Sequence, residues 1–476
     1  MKKSTLALAV TVGVLAQQAS AAGFLEDSKA SVSSRTLYFD NDFREGTTHN
    51  NRETATGLKF DYLSGFTQGT VGFGLDLQGL VGVHLDGGRG AHSGALNGGI
   101  LPTDSDGSAV NEWSRLGANG KVRFSKTELK VGNALAPNLP ILVSNDGRLL
   151  PQAFQGGILT SKDLDNVTFT AGQLDKSIGR ASSNWTDLSI AGASQTSDQF
   201  RFAGADWKVT KDLTLQYYYA NLEDFYKQHF LGLVHVYPIS DNQSFKTDLR
   251  YFNSSSDGKN SDAATGYRFN NNNGYAKNAG EVDNSTWSAM FTYSLGGHAL
   301  MVGHQLDNST WSAMFTYSLG GHALMVGHQQ VGDDGGMVFL NQGNVTKDGT
   351  SRTSLEGNGG SSFYLFTDSM INGFNRAGEN TTFGQYSYDF AKVGVPGLKA
   401  AVAYLHADDI RDRTTGNEEY SEWETDMRVD YVIQSGPMKG FGTTLRHGTY
   451  RADGDLNNST NTDQTRLIFN YTYNFM

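Results

Sequence analysis

The sequence of 476 residues contains no cysteine and only 7 prolines. Disulfides therefore cannot hold this fold together, and few positions interrupt extended backbone, since proline cannot donate a hydrogen bond within a sheet. After the first 21 positions, no stretch approaches the roughly 20 apolar residues that a membrane-spanning helix needs. These absences exclude a disulfide-stapled domain and a helical membrane protein.

Common catalytic motifs are missing as well. The chain has no G-x-S-x-G elbow, no H-E-x-x-H metal motif and no glycine-rich phosphate loop followed by lysine. Four of the scattered histidines lie near strand ends, on the same face as the apolar residues: His298, His304, His322 and His328. These positions suit the membrane interface better than metal binding. We therefore expect no enzyme activity, no metal and no cofactor.

The first 21 residues have the three parts of a secretory signal. Lys2 and Lys3 form the basic start, Leu6 to Ala16 the apolar run, and Ala19 to Ala21 the cleavage site. We predict that residues 1–21 are a signal peptide, and that residues 22–476 form a single exported domain.

Apolar and polar residues alternate with a period of two along most of the chain. The last segment is the clearest, because Leu467, Phe469, Tyr471, Tyr473 and Phe475 alternate with polar residues such as Arg466 and Asn470. Such alternation predicts strands with one face in lipid and the other in water. Long polar segments such as 87–111 and 254–281 predict loops at one end, and short turns such as 210–212 lie at the other. The pattern predicts an all-β fold, a transmembrane antiparallel up-and-down β-barrel.

One segment of 23 residues occurs twice without a change, at 283–305 and at 307–329. Each copy reads as a hairpin around a Gly-Gly turn, which pairs Leu295 with His298, Tyr293 with Leu300 and Phe291 with Val302. Inserting two strands preserves the direction and facing of every later strand. An antiparallel barrel can therefore accept the second copy.

Four segments resemble the OprD family of substrate-specific porins from Gram-negative bacteria such as pseudomonads. They are AGFLEDSKASVSSRTLYFDNDFREG (22–46), SNDGRLLPQAFQGG (144–157), FTDSMINGFNRAGENT (366–381) and DYVIQSGPMKGF (430–441). The resemblance implies a monomeric 18-stranded barrel with inward-folded loops and a wall of Arg and Lys that guides small carboxylate-bearing solutes. With the second hairpin, we expect about 20 strands.

The alternation tests the basic wall residue by residue. An Arg or Lys facing lipid near the midplane costs roughly 2–4 kcal/mol, so a basic residue between apolar neighbours should point into the lumen. Those that fit are Lys246, Arg250, Arg428, Arg446 and Arg466, whereas Arg35 and Lys399 fit less well. Two interpretations stay open: a cationic track for anions, or charges paired with Asp248, Glu424, Asp426 and Asp430 that stiffen the barrel.

Arg148 and Asp146 lie in a segment that, in the family, belongs to the constriction loop. An acidic and a basic residue there would create a transverse field that orients a dipolar solute. The alternative is a structural Arg148 bonded to loop carbonyls.

The function expected is passive, substrate-selective diffusion through the Gram-negative outer membrane. Expected partners are outer-membrane lipid and lipopolysaccharide, small anionic or zwitterionic solutes, and the barrel assembly machinery. That machinery would read the C-terminal strand, although Met476 follows the expected terminal Phe475. We expect no nucleic-acid partner. Two alternatives are a barrel hydrolase and a structural or adhesive barrel with a closed lumen.

Overall fold

The computed structural model describes residues 23–44, 50–86, 92, 99–104, 108–240, 243–269, 278–295, 298–304, 310–319, 321–331, 334–340, 345–346, 355–356, 367, 369–412, 419–453, 456 and 461–475. At 243, 285–295, 298–304, 310–319, 324–325, 345–346 and 355–356 the description is limited to the backbone. The predicted signal peptide, residues 1–21, lies outside the described residues.

Twenty long strands dominate the described chain. They are β1 Lys29–Phe43, β2 Asn51–Leu63, β3 Val71–Asp86, β4 Glu112–Phe124, β5 Thr127–Leu135, β6 Ala153–Ser161, β7 Val167–Ile178, β8 Phe200–Lys208, β9 Leu213–Leu222, β10 Tyr226–Ser240, β11 Gln243–Ser256, β12 Asp283–Leu295, β13 His298–His304, β14 Thr310–Leu319, β15 His322–Val331, β16 Asn380–Asp389, β17 Leu398–Arg411, β18 Glu419–Val432, β19 Gly442–Ala452 and β20 Thr462–Asn474.

Minor elements lie between the long strands. The described connections contain two-residue strands at Asn138–Leu139, Leu142–Val143, Thr186–Asp187, Val345–Thr346 and Leu355–Glu356, and 3-10 turns at Gly258–Asn260 and Phe390–Val393. In the part of the chain that the structure describes, no helix has the length and apolar character needed to cross a membrane.

The sheet closes on itself. Each long strand pairs antiparallel with the long strands before and after it in the chain, from β1 with β2 to β19 with β20. The last strand returns to the first, with Asn474 opposite Ser31 and Thr462 opposite Phe43. Closure leaves no unpaired edge, the condition for a sheet in lipid. The predicted antiparallel barrel of about 20 strands is confirmed.

The predicted alternation sets which side chains face outward. On β3, Val71, Phe73 and Val83 are exposed, while the alternate residue Asp76 is buried. At the C-terminus, Tyr473 and Phe475 are each 55% exposed, whereas Arg466 on the other parity is 7% exposed. Exposed apolar side chains on a closed sheet form the lipid-facing surface.

Both copies of the repeated hairpin are part of the barrel wall. In the first copy Leu295 pairs with His298, Tyr293 with Leu300 and Phe291 with Val302, as predicted. The second copy repeats this register, starting with Leu319 opposite His322. Between the copies, β13 pairs with β14. The predicted turn at Gly296-Gly297 lies outside the described residues.

The long connections lie at one end of the barrel, and several pack into its lumen. One apolar cluster joins the inward face of β1 to β4 with residues of two connections, including Ile100 and Leu150. A larger cluster joins the inward face of β5 to β11 with residues of several connections, including Leu142, Ile190 and Val338. The loops are therefore buried inside the barrel by apolar packing, which narrows the passage.

Candidate pore lining and constriction

Three of the five predicted lumen-facing basic residues lie side by side. Arg428 on β18 is directly opposite Arg446 on β19, and Arg446 is directly opposite Arg466 on β20. We call these three the arginine row. Directly opposed positions have Cβ atoms about 4.5–5.5 Å apart, and strands of such barrels tilt by about 35–45°, so the row climbs the wall obliquely.

The three arginines have different partners. Arg428 is 52% exposed and pairs with Asp430 through Nε and Nη2, at 2.6 and 2.9 Å. Arg446 donates from Nη2 to the carbonyl of Ser369 at 2.6 Å, and Arg466 donates from Nη2 to the carbonyl of Met370 at 2.7 Å. Arg428 is thus the member of the row most accessible to a solute.

The other two predicted residues lie on the wall formed by β11, away from the row. Arg250 binds Asp248 with both Nε and Nη2, at 2.8 and 3.0 Å, and Lys246 reaches the same carboxylate at 3.2 Å. Arg250 is 14% exposed and Lys246 is 42% exposed. One buried aspartate therefore compensates two cations here, as the barrel-stiffening interpretation expects.

The connection 136–152 carries Asp146 and Arg148 and is fixed to β1. Arg35 donates from Nη1 and Nη2 to the two carboxylate oxygens of Asp146, at 2.8 and 3.2 Å, and to the carbonyl of Arg148 at 2.6 Å. Arg35 therefore faces the lumen. The Asp146 carboxylate pairs with this wall residue and remains 56% exposed.

The Arg148 side chain packs against an aromatic ring. Its guanidinium lies 4.7 Å from the centroid of Phe39, and that of Arg466 lies 5.7 Å from the same ring. Burial lowers the pKa of Arg148, and the nearby charges of Arg466 and Arg180 lower it further. Because arginine stays protonated in proteins, Arg148, Arg180 and Arg466 together place positive charge where the loop meets the row.

A second inward connection comes from the segment between β15 and β16. Residues 369–379, which we call the inner segment, lie against the lumen face of β18. Glu424 accepts the backbone N–H groups of Ile371 and Asn372 at 2.9 and 2.8 Å. Glu422 accepts hydrogen bonds from Arg376 at 2.5 Å, from the Asn372 side chain and from Tyr450.

These contacts revise two of the pairings considered for the basic residues. Asp430 and Asp248 do pair with Arg428 and Arg250. Glu424 instead binds main-chain amides of the inner segment, and Asp426 accepts the hydroxyl of Ser369. Sequence parity could have shown that Glu422, Glu424 and Asp426 face inward together, but it carried no information about the loop that they bind.

Further charged side chains line other parts of the lumen. Arg180, which the sequence did not single out, donates to Asn145 Oδ1 of the 136–152 connection at 3.2 Å. On β3 to β5, Asp76 lies 2.6 Å from Lys121 and 3.1 Å from Lys130. Lys399 is 64% exposed and lies 3.5 Å from Asp389.

Of the four histidines named from the sequence, His322 and His328 have described side chains, and both lie on the outer surface of the barrel. His322 meets the Tyr386 hydroxyl at 2.6 Å, and His328 meets the Thr382 hydroxyl at 2.8 Å. The side chains of His298 and His304 lie outside the described part. Within the described residues, no group of three or more His, Asp or Glu side chains could hold a metal ion.

Known proteins are similar to this chain in sequence and in fold. The family model described as outer membrane porin, OprD family, matches residues 22–306 and again 305–475. The two matches meet where the second copy of the hairpin begins, as expected for an insertion into the family pattern.

Individual relatives match over nearly the whole chain. The porin-like protein GalP of Pseudomonas putida is 31% identical over 470 residues, covering 98% of this chain and 96% of that protein. Porin D of Pseudomonas aeruginosa is 30% identical over 492 residues, covering 99% and 98%.

Solved structures of related proteins have the same fold. Pseudomonas aeruginosa OccK8 (OprE) is 41% identical with a TM-score of 0.76, covering 95% of this chain and 100% of that chain. Pseudomonas aeruginosa OpdK, solved with vanillate, is 30% identical with a TM-score of 0.73 and the same coverage. These relatives are channels rather than enzymes. This chain therefore belongs to the OprD family of outer-membrane porins, which mediate substrate-specific uptake in Gram-negative bacteria.

Proposed function

We propose that this porin takes up small solutes bearing a carboxylate, amino acids or organic acids, through a pore with one cationic wall. The observation that carries the proposal is the direct register of Arg428, Arg446 and Arg466 on three neighbouring strands. Like charges in directly opposed positions destabilise a sheet. A wall that keeps three of them together is explained by a role in binding anions.

The chemistry of the row suits carboxylates. A guanidinium group can bind a carboxylate with two parallel hydrogen bonds, and neighbouring guanidinium groups allow an ion to pass from one to the next. Arg428 offers the most exposed charge, and Arg35 adds a partly exposed guanidinium at the constriction loop. OpdK, the relative solved with vanillate, is consistent with this class of solute.

The constriction loop supports uptake of zwitterionic solutes within the same class. Asp146 presents a half-exposed carboxylate on the lumen side of Arg35. A solute with both an ammonium and a carboxylate could bind Asp146 with one group and the arginine row with the other. Organic acids without an ammonium group would bind the row alone.

Planar-bilayer recording tests this proposal. A salt gradient should give a reversal potential that indicates anion preference, and a panel of amino acids, aromatic acids and uncharged analogues should interrupt the current selectively. Current interruption by uncharged analogues as strong as that by carboxylates would contradict the proposal. Turnover of any panel member would instead indicate a barrel hydrolase.

A closed structural barrel is the second candidate, favoured by the apolar loop packing inside the lumen. Absence of conductance from correctly inserted protein would support it.

Export and assembly complete the proposal. Residues 1–21 would be removed as a signal peptide, and the aromatic positions from 467 to 475 would be read by the barrel assembly machinery. Deleting Phe475 and Met476 together should then lower the yield of inserted barrel more than deleting Met476 alone.

A further inference from the structure

Two main-chain carbonyls of the inner segment occupy the arginine row. Arg446 donates to the carbonyl of Ser369 at 2.6 Å, and Arg466 donates to the carbonyl of Met370 at 2.7 Å. Both hydrogen bonds use Nη2, one of the atoms with which arginine binds carboxylates. Consecutive carbonyls thus present two oxygens to two neighbouring guanidinium groups.

The inner segment is held in this position from β18. Glu424 accepts the backbone N–H groups of Ile371 and Asn372, and Asp426 accepts the hydroxyl of Ser369. Glu424 is fully buried and Asp426 is 7% exposed. The same strand carries Arg428, so one strand both contributes to the row and anchors the segment that covers its neighbours.

We propose that residues 369–372 form a displaceable clamp, in which the carbonyls of Ser369 and Met370 stand in for the oxygens of a solute carboxylate on Arg446 and Arg466. Glu424 and Asp426 are positioning residues that hold the clamp over the row. This inference rests on the proposed function.

The energetics favour exchange for anions only. A carboxylate makes charge-assisted hydrogen bonds to guanidinium that are about twice as strong as those of neutral acceptors. Without a solute, the carbonyls keep the poorly exposed arginines hydrogen-bonded, which avoids the cost of buried, unpaired donors. An uncharged solute forms hydrogen bonds to the arginines that are no stronger than those of the carbonyls already bound. The clamp thereby adds selectivity for charge beyond that of the row itself.

The absence of native cysteine gives a direct test. In Ile371→Cys the introduced thiol is the only one in the chain, and its reaction with a small methanethiosulfonate reagent can be followed as a stepwise fall in single-channel current. Benzoate should raise the reaction rate by about threefold or more, because it shifts the population toward the displaced state. Benzamide, an uncharged molecule of nearly the same shape, should leave the rate unchanged.

A matched pair of variants separates anchoring from charge. Glu424→Gln and Asp430→Asn each remove one inward negative charge from β18, but Asp430 binds Arg428 and Thr444 rather than the inner segment. In the Ile371→Cys background, Glu424→Gln should react fast even without benzoate, whereas Asp430→Asn should react slowly and still respond to it. Equal rates in the two variants would overturn the positioning role of Glu424.

The central outcome does not depend on Glu424→Gln assembling, since Ile371→Cys leaves the anchor intact. A reaction rate that benzoate does not change overturns the clamp, even where the reversal potential still indicates anion preference. If the protein without substitutions shows no anion preference, the proposed function itself is overturned.

Discussion

The arginines of the row differ in what each binds, so single substitutions should not have equal effects. Arg428 forms an ion pair with Asp430 on the same strand, and its side chain is 52% exposed. Arg446 and Arg466 are bound to loop carbonyls, and Arg466 also lies near the ring of Phe39. Removing either of the latter changes loop position as well as charge.

Arg428→Gln should therefore give the cleanest loss of anion preference. Exposed ion pairs contribute roughly 0.2–1 kcal/mol, so the anion-to-cation permeability ratio should fall by about 1.4- to 5-fold. Reversal potentials across a salt gradient measure this ratio. Arg250→Gln is the matched comparison and should have a smaller effect, because Arg250 is 14% exposed and shares Asp248 with Lys246.

Unchanged reversal potentials in Arg428→Gln, Arg446→Gln and Arg466→Gln alike would contradict a cationic track. The charges would then serve the stiffness of the barrel.

One glycine is required by a close approach inside the lumen. A Cβ at Gly82 would come within 2.4–2.6 Å of three atoms of the Trp113 ring, whereas a Cβ at Gly79 on the same strand would meet nothing nearer than 3.9 Å. Overpacking of this kind costs roughly 1–3 kcal/mol. Gly82→Ala should lower the temperature at which the heat-modifiable band shifts on gels, and Gly79→Ala should leave it nearly unchanged.

At the scale of elements, two connections with different anchors pack into the lumen. The 136–152 connection is held by Arg35 of β1, and the inner segment is held by acidic residues of β18. The acidic anchors share β18 with Arg428, and Arg35 lies on β1 beside β20, the strand that carries Arg466. The solute would therefore pass the row where the passage is narrowed from two directions.

Shortening the 136–152 connection should widen that passage. Deleting a few residues around Gly147 should raise single-channel conductance and reduce discrimination among solutes, because Asp146 and Arg148 leave the constriction. Arg35→Gln is a milder change, since it keeps the loop length and removes its ion pair with Asp146. We expect it to give noisier current at nearly the original mean.

A shortened variant that inserts normally with unaltered conductance would exclude the 136–152 connection from the constriction. The inner segment would then be the element that sets pore size.

At the scale of the whole molecule, the second hairpin enlarges the barrel. The four strands β12 to β15 form one continuous part of the wall, away from β18, β19 and β20. Barrel diameter grows roughly in proportion to strand number, so 20 strands instead of 18 widen the backbone cylinder by about a tenth. The insertion leaves the pairing of the arginine row intact.

Deleting residues 283–306 tests this consequence. The shortened chain keeps one complete hairpin and should form an 18-stranded barrel with lower or quieter conductance and the same sign of ion preference. Identical neighbouring hairpins can pair in either register, so the full-length protein should also show more current noise. Conductance that the deletion does not change would indicate that the second copy does not widen the pore.

Period-two alternation by itself determined the barrel and the outward faces, because in a strand the facing of each side chain follows from its position in the chain. The Gly-Gly turn determined the register of the repeated hairpin. The same rule put Arg428, Arg446 and Arg466 on the inside. Only the tertiary structure decided that these three are directly opposed, since register between strands depends on how each pair closes across its turn. Arg35 meets Asp146 across 111 residues of the chain, and the carbonyls of Ser369 and Met370 meet Arg446 and Arg466 across 77 and 96 residues. Loop positions of that kind depend on packing inside the finished barrel, which no local pattern encodes.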